Sequence, residues 1–243
     1  MKAIIIAGGE GTRLRPLTYL KPKPLLPLWG IPMIELQIKK LKEAGVTDII
    51  INVGYKAKDF ERHFANRKGI SLSYEDKPMG TAGAVKLAEG MFQDSDEIII
   101  LNADIVTDFD YRELINFQRN SKSDVSLFAV KVEDPSRFGL ILNKPGFRQV
   151  EAFLEKLPKE AALQYTDKFY VNGGIYVMKS HLFQHFQADV PLSFEKEVFP
   201  TLIMKGYTIS RLDFQGYWLD VGTKEAYWQA HKDTFRKAIL GQL

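Results

Sequence analysis

The amino-acid sequence predicts an α/β fold: a mostly parallel, doubly wound sheet flanked by helices, with a smaller antiparallel element in its second half. Three observations carry this. Short apolar runs without polar alternation, at residues 3–7, 48–53 and 97–101, read as strands buried on both faces. Stretches of helical spacing lie between them. Beyond about residue 120, strand-like stretches follow one another with no long helix between.

Composition sets the outer bounds. With 243 residues, 45% hydrophobic and 26% charged, the chain can bury one large core. One domain over 1–243 is expected, its halves dividing near residue 120. The net charge of +3 is small, and the basic residues form no long run, so neither nucleic acid nor membrane is expected as a partner. Zero cysteines exclude disulfides and thiolate metal sites. No stretch reaches 18 apolar residues and the N-terminus enters a strand directly, which together predict a cytoplasmic protein.

In chain order, the strand at 3–7 breaks at Gly8, Gly9 and Gly11. Glycines there allow positive φ and close approach of a ligand, and their amides can turn inward as an anion-binding nest. Arg13, Arg15, Lys21 and Lys23 follow, while Pro16, Pro22, Pro24 and Pro27 keep the segment from becoming an ordinary helix. A glycine loop feeding a stiff cationic arm suits a polyphosphate. It is not a dinucleotide fingerprint, because the sixth residue counted from Gly9 is Leu14, and the string of a P-loop occurs nowhere. The plainer reading is a glycine turn with solvated basic residues.

Pro32 suits a first helical turn, and Ile34, Ile38 and Leu41 share one helical face before a stop at Gly45. A strand at 48–53, a helix at 57–65 with Phe60 and Phe64 four apart, and a strand at 70–74 come next. This alternation places a site at the carboxyl ends of the strands. Residues 78–84, PMGTAGA, open an apolar helix; small residues and free amides at a helix start admit a flat or anionic ligand, although such a stretch taken alone more often serves tight packing. The strand at 97–101 ends in Asn102-Ala103-Asp104, where a carboxylate can hold a hard divalent cation or simply serve a turn. Asp108-Phe109-Asp110 imitates a D-x-D metal motif, but reads better as the cap of a helix at 111–120.

In the second half, strands at 124–132, 138–143 and 150–155 form the antiparallel element. Glu155 and Lys156, taken as a bare pair, read as a solvated loop. Thr223 can cap a last helix at 224–240.

The string AGGEGTRLRPLT followed by PKPLLPL resembles the N-terminal signature of the sugar-1-phosphate nucleotidyltransferases, the NDP-sugar pyrophosphorylases. The likeness extends along the chain through PMGTAGA, Asn102-Ala103-Asp104, Arg137-Phe138-Gly139, Phe153-Leu154-Glu155-Lys156, Asn172-Gly173-Gly174-Ile175-Tyr176, residues 193–200 (SFEKEVFP) and residues 218–223 (WLDVGT). It departs at Ala103, where a glycine is common, and at Leu157, which displaces the usual proline to Pro158. No hexapeptide repeat appears, so no C-terminal β-helix domain is expected.

The resemblance implies a Rossmann-like nucleotidyltransferase fold, with the half before residue 120 binding nucleotide and the half after it binding sugar. It implies Arg13 and Lys23 as catalytic cations, with Ala7, Gly8, Gly9, Gly11, Thr12, Gly80, Thr81 and Ala82 around the nucleotide. Gly139, Glu155, Lys156 and Asn172 would hold the sugar phosphate, and Asp104 and Asp220 would hold Mg²⁺. The implied partners are a nucleoside triphosphate and a sugar 1-phosphate, and the family is compatible with a homodimer. GTAG and SFEKEVFP are similar to the guanylyltransferases of mannose 1-phosphate; NGGIY also resembles those of heptose 1-phosphate. Thymidylyl or uridylyl transfer to glucose 1-phosphate is a further alternative.

A sugar 1-phosphate already carries an anionic oxygen, so attack on the α-phosphorus needs positioning and charge neutralisation but no protein nucleophile. Lys23 and Lys156 would screen the approach of two anions while Arg13 and Mg²⁺ stabilise the leaving pyrophosphate. A glycosyltransferase using Asp108 and Asp110 would leave the cationic loop without a triphosphate. A non-catalytic nucleotide-sugar sensor would have lost some of Arg13, Lys23, Asp104 and Asp220, all of which are present.

Overall fold

The computed structural model describes residues 1–144 and 146–239. The first strand, β1 (Lys2–Ile6), leads into a 3-10 turn at Thr12–Leu14, the short α1 (Leu17–Leu20) and a second 3-10 turn at Lys23–Leu25. The prolines thus hold the cationic arm to turns of three or four residues. A two-residue hairpin, β2 (Pro27–Leu28) and β3 (Ile31–Pro32), precedes α2 (Met33–Glu43), which has Pro32 at its N-cap. Then come β4 (Ile49–Val53), α3 (Ala57–His63), β5 (Ile70–Tyr74), α4 (Gly80–Leu87), β6 (Glu97–Asn102) and β7 (Ile105–Thr107). Asp110 caps α5 (Tyr111–Ser121) by accepting from the Arg112 N–H at 2.9 Å, as its sequence position predicts.

The second half runs β8 (Val125–Lys131), β9 (Gly139–Asn143), β10 (Val150–Glu155), α6 (Lys159–Ala162) and the long β11 (Tyr170–Lys179). A π-helical turn at Phe194–Val198 runs into α7 (Phe199–Met204), followed by β12 (Ile209–Phe214), β13 (Trp218–Asp220) and α8 (Lys224–Ile239). Thr223 Oγ1 accepts from the Ala226 N–H at 3.3 Å at the start of α8. The expected last residue of that helix, Leu240, lies outside the described residues.

One nine-stranded mixed sheet joins the two halves in the order β10-β9-β11-β6-β1-β4-β5, with β8 on β11 and β12 on β8. The antiparallel element is therefore continuous with the parallel one. Strands β6, β1, β4 and β5 are parallel, so their carboxyl ends share one edge. Alternate residues of β1 bury on opposite faces: Ile5 packs with Ile34, Ile38 and Leu41 of α2 and Leu114 of α5, whereas Ile4 packs with Val85 of α4 and Leu202 of α7. Helices thus cover both faces, and each aliphatic side chain sealed there is worth roughly 1.5–3 kcal/mol. Among the described residues, no helix is long and apolar enough to cross a membrane.

Candidate active site

At the carboxyl end of β1 the chain turns through the glycine loop. Gly11 alone of its three glycines takes positive φ, at 62°; Gly8 and Gly9 do not, contrary to the sequence expectation. At Gly8 the space is taken by a side chain: a Cβ there would lie 2.0 Å from Glu75 Oε1, so any larger residue would displace that carboxylate. Glu75 follows β5, and burial pushes its carboxyl up while its hydrogen bond to the Met79 backbone pulls it down. At Gly11 a Cβ would lie 3.0 Å from the Lys23 Cβ, because the arm crosses back over the loop. Lys23 is buried there, with its Nζ 2.5 Å from Asp104 Oδ2.

Asp104 and Asp220 are brought together by backbone pairing. Strand β13 lies antiparallel to β7 with Asp220 opposite Ile105, and the Val221 N–H donates to the Asp104 carbonyl at 3.0 Å. Burial and the neighbouring Asp104 charge push the Asp220 carboxyl up, opposed by Lys23, Arg13 and Arg137. A Cβ on Gly222 would lie 3.0 Å from Arg13 Nη2 and 3.1 Å from Asp220 Oδ1, so the guanidinium and the carboxylate both approach this glycine. Asp220 Oδ1 is buried with no hydrogen-bond partner. An orphaned carboxylate oxygen beside a second carboxylate fits a hard divalent cation completed by waters. Among the described residues, no three acidic, histidine or cysteine side chains are grouped closely enough to hold a metal ion among themselves.

Two cavities meet at Asn102 and Asp104. The first, of about 340 Å³, is lined by Ala7, Gly9, Gly11, Thr12, Arg13, Lys23 and Thr81 among others. The second, of about 170 Å³, is lined by Gly139, Glu155, Asn172, Glu195, Trp218 and Asp220 among others. A larger cavity of about 770 Å³ lies at the amino ends of β1 and β6, beside Met1 and Glu97, and contains none of the residues expected at the site. The chemistry-bearing groups lie elsewhere, so size does not locate the site here.

Other expected residues are placed less directly. The amides of Ala82 and Gly83 are not free: both donate to the Leu192 carbonyl, at 2.9 and 3.3 Å. Gly80, with φ 69°, has its missing Cβ position 2.5 Å from that same oxygen, so the small residues at the start of α4 serve close packing. Thr81 still faces the first cavity and its Oγ1 accepts from the Phe194 N–H at 3.1 Å; Gly8, Gly80 and Ala82 do not line it. The Lys156 side chain is 67% exposed, outside both linings, and lies 3.8 Å from Glu155. Its backbone is left-handed at φ 52°, at the turn where Leu157 displaces the proline.

Asn172 reaches the second cavity through a break in β11. Between Asn172 and Tyr176 the register on β8 shifts, and the first part of the strand turns to β9 while the rest pairs with β6. Only glycines fit the break: a Cβ on Gly173 would meet Phe128 at 2.3 Å, and one on Gly174 would meet Asn102 Nδ2 at 2.7 Å. Sequence reasoning did not single out Glu75 or Glu195 as site residues. Glu75 offered only its position just before PMGTAGA; Glu195 lay within SFEKEVFP, which was read for its resemblance alone.

The nucleotidyl transferase family model matches residues 2–237. A mannose-1-phosphate guanyltransferase of Gibberella zeae is 36% identical over 229 residues, covering 91% of this chain and 61% of its own length. The chain thus spans about three fifths of that curated relative. A Bacillus anthracis structure assigned as a glucose-1-phosphate thymidylyltransferase, in complex with a sucrose, superposes with TM-score 0.81 at 29% identity, covering 96% of this chain and 94% of its own. HddC from Yersinia pseudotuberculosis, in a structure complexed with GMP-PN, gives TM-score 0.79 at 25% identity, covering 96% and 99%.

Proposed function

The chain belongs to the nucleotidyl transferase family, and from that premise we propose that it condenses GTP with mannose 1-phosphate to GDP-mannose and pyrophosphate. The observation that carries the proposal is the meeting of two cavities at Asp104, one lined by Arg13 and Lys23 and the other by Glu155, Asn172 and Asp220. The first has the cations and glycine backbone for a triphosphate, the second the carboxylates and amide for a polyhydroxylated sugar. Relatives named mannose-1-phosphate guanyltransferases support the choice of substrates. Glu75, packed against Gly8 beside the glycine loop, adds a carboxylate acceptor of the kind that the N1–H and N2–H donors of guanine require.

In this mechanism a phosphate oxygen of the sugar 1-phosphate attacks the α-phosphorus. The new P–O bond forms as the bond to the β-phosphate oxygen breaks, and pyrophosphate leaves. No general base is required, because the attacking oxygen is already anionic. Arg13 and Lys23 lie where they can neutralise the triphosphate, and the glycine loop admits it to close range. Arg137, whose charge reaches Asp220, would offset repulsion between the two anions, and Lys156, exposed beside Glu155, would have to swing inward to join it. Asp104 and Asp220 would hold Mg²⁺, which when bound supplies further charge neutralisation to the phosphates. With no cysteine, the chain is compatible with a reducing cytoplasm.

The test is a matrix of four nucleoside triphosphates against mannose, glucose, N-acetylglucosamine and heptose 1-phosphates, read by pyrophosphate release. GTP with mannose 1-phosphate is expected to give the highest kcat/KM. A maximum at dTTP or UTP with glucose 1-phosphate would overturn the substrates while leaving the reaction; a maximum with heptose 1-phosphate would move only the sugar.

A further inference from the structure

Asn172 has spent both of its donors inside the protein. Its Nδ2 donates to Glu195 Oε1 at 2.5 Å and to the Tyr176 hydroxyl at 2.6 Å, while its Oδ1 accepts from the Gly174 N–H at 3.0 Å. It therefore cannot donate to a sugar hydroxyl without breaking a bond already made in a half-buried site. Glu195 stands differently. Its Oε1 accepts from Asn172 and, at 3.1 Å, from the fully buried Tyr176 hydroxyl, and its Oε2 accepts from Ser193 Oγ at 2.9 Å. A carboxylate offers about four acceptor directions, so Oε2 keeps one.

That oxygen belongs to a side chain lining the second cavity opposite Glu155. The two carboxylates flank Gly139: a Cβ at that glycine would lie 3.2 Å from Glu155 Oε2 and 3.8 Å from Glu195 Cγ. Three donors from two elements, β11 and the turn that precedes α7, fix the orientation of Glu195. Fixing a carboxylate with three donors and lining a polar cavity with it gives a preorganised acceptor, which favours one hydroxyl geometry over others.

Resting on the proposed condensation, we infer that Glu195 is a sugar-specificity residue. Its carboxylate accepts a hydrogen bond from a ring hydroxyl of the sugar 1-phosphate, and Asn172 is a positioning residue that aims it. A purely structural buttress between β11 and the π-helical turn would use the same bonds, but would leave sugar recognition unchanged once the protein had folded.

The experiment compares wild type with Glu195→Gln in steady-state kinetics, using mannose 1-phosphate and its 2-, 3- and 4-deoxy analogues. Glu195→Gln should raise the KM for mannose 1-phosphate about tenfold or more, the scale of a hydrogen bond to a charged group, with the KM for GTP within about twofold. One deoxy analogue should cost the wild type about tenfold in kcat/KM and cost Glu195→Gln less than about threefold. An unchanged KM for the sugar, or equal deoxy penalties in both proteins, would overturn the inference. If Glu195→Gln does not fold by circular dichroism, Ser193→Ala serves, since it removes the donor to Oε2 and otherwise only the long 3.3 Å cap bond from the Lys196 N–H. It should raise the sugar KM about threefold or more at constant GTP KM, and no change there would overturn the inference too. Active wild type with an indifferent variant removes this inference alone; wild type that releases no pyrophosphate from any substrate pair removes the proposed function beneath it.

Discussion

Lys23 illustrates how much one side chain carries. It is buried, paired with Asp104 and set in the wall of the first cavity, so it can place a positive charge on a triphosphate without reorganising. Lys23→Ala should lower kcat by about two to three powers of ten, measured by pyrophosphate release, with an unchanged circular dichroism spectrum. Asp220→Asn should instead raise the Mg²⁺ concentration needed for half-maximal rate, because it removes a charged oxygen donor; a superimposable Mg²⁺ titration would count against the ligand role. Glu75→Gln should narrow the preference of GTP over ATP by about tenfold or more, since one acceptor becomes a donor facing the donor edge of guanine. An unaltered ratio would place base selection elsewhere. That Arg13, Lys23 and Asp220 would gather around one site was an expectation the sequence could raise, because charge and glycine cluster there at short spacing or stand in a distinctive string, and all three line the adjoining cavities. Glu75 and Glu195 raised none. Their roles depend on what packs beside them, and a carboxylate carries no mark of its neighbour.

At the scale of elements, distant segments converge through shared apolar packing. Leu14 and Leu26 of the cationic arm bury with Val221, Tyr227 and Ala230, so the arm is fastened to the segment that bears Asp220. The Tyr227 hydroxyl completes the tie by donating to the Pro27 carbonyl at 2.6 Å. On the other side, Gln37 of α2 donates through Nε2 to the carbonyls of Asn102 and Ile105, at 2.8 and 3.0 Å, and so brackets the turn carrying Asp104. Gln37→Leu should leave those carbonyls without their donor and loosen the turn. The expected signature is a severalfold rise in the Mg²⁺ requirement together with a loss of about 1–3 kcal/mol of stability, read by denaturant unfolding. A stability loss with an unchanged Mg²⁺ titration would make Gln37 structural only. The Gln37 contacts could not be read from spacing, since they join residues 65 and 68 positions apart.

At the scale of the whole molecule, the parallel half was the most legible part. Strands β1, β4 and β6 are largely continuous apolar runs, and the expected strand at residues 70–74, which alternates as ISLSY, is the observed one. The antiparallel half was readable as strands but not as a topology. Strand β11 serves β6, β8 and β9 at once by bending at Gly173 and Gly174, a division that depends on Phe128 and Asn102 crowding those glycines. Asn172 and Gly174 at that bend line the second cavity beside the carboxyl end of β6, where Asp104 lies. Two adjoining cavities allow direct transfer between the substrates, without a protein nucleophile. The most direct measurement of that transfer uses mannose 1-phosphate labelled with ¹⁸O in its phosphate, mixed with GTP and Mg²⁺. Direct attack predicts that pyrophosphate forms only when both substrates are present and carries no label, and that the labelled phosphate appears intact in GDP-mannose. Pyrophosphate released from GTP alone in stoichiometric amount, as a nucleotidyl-enzyme would give, or label in the pyrophosphate, would contradict it.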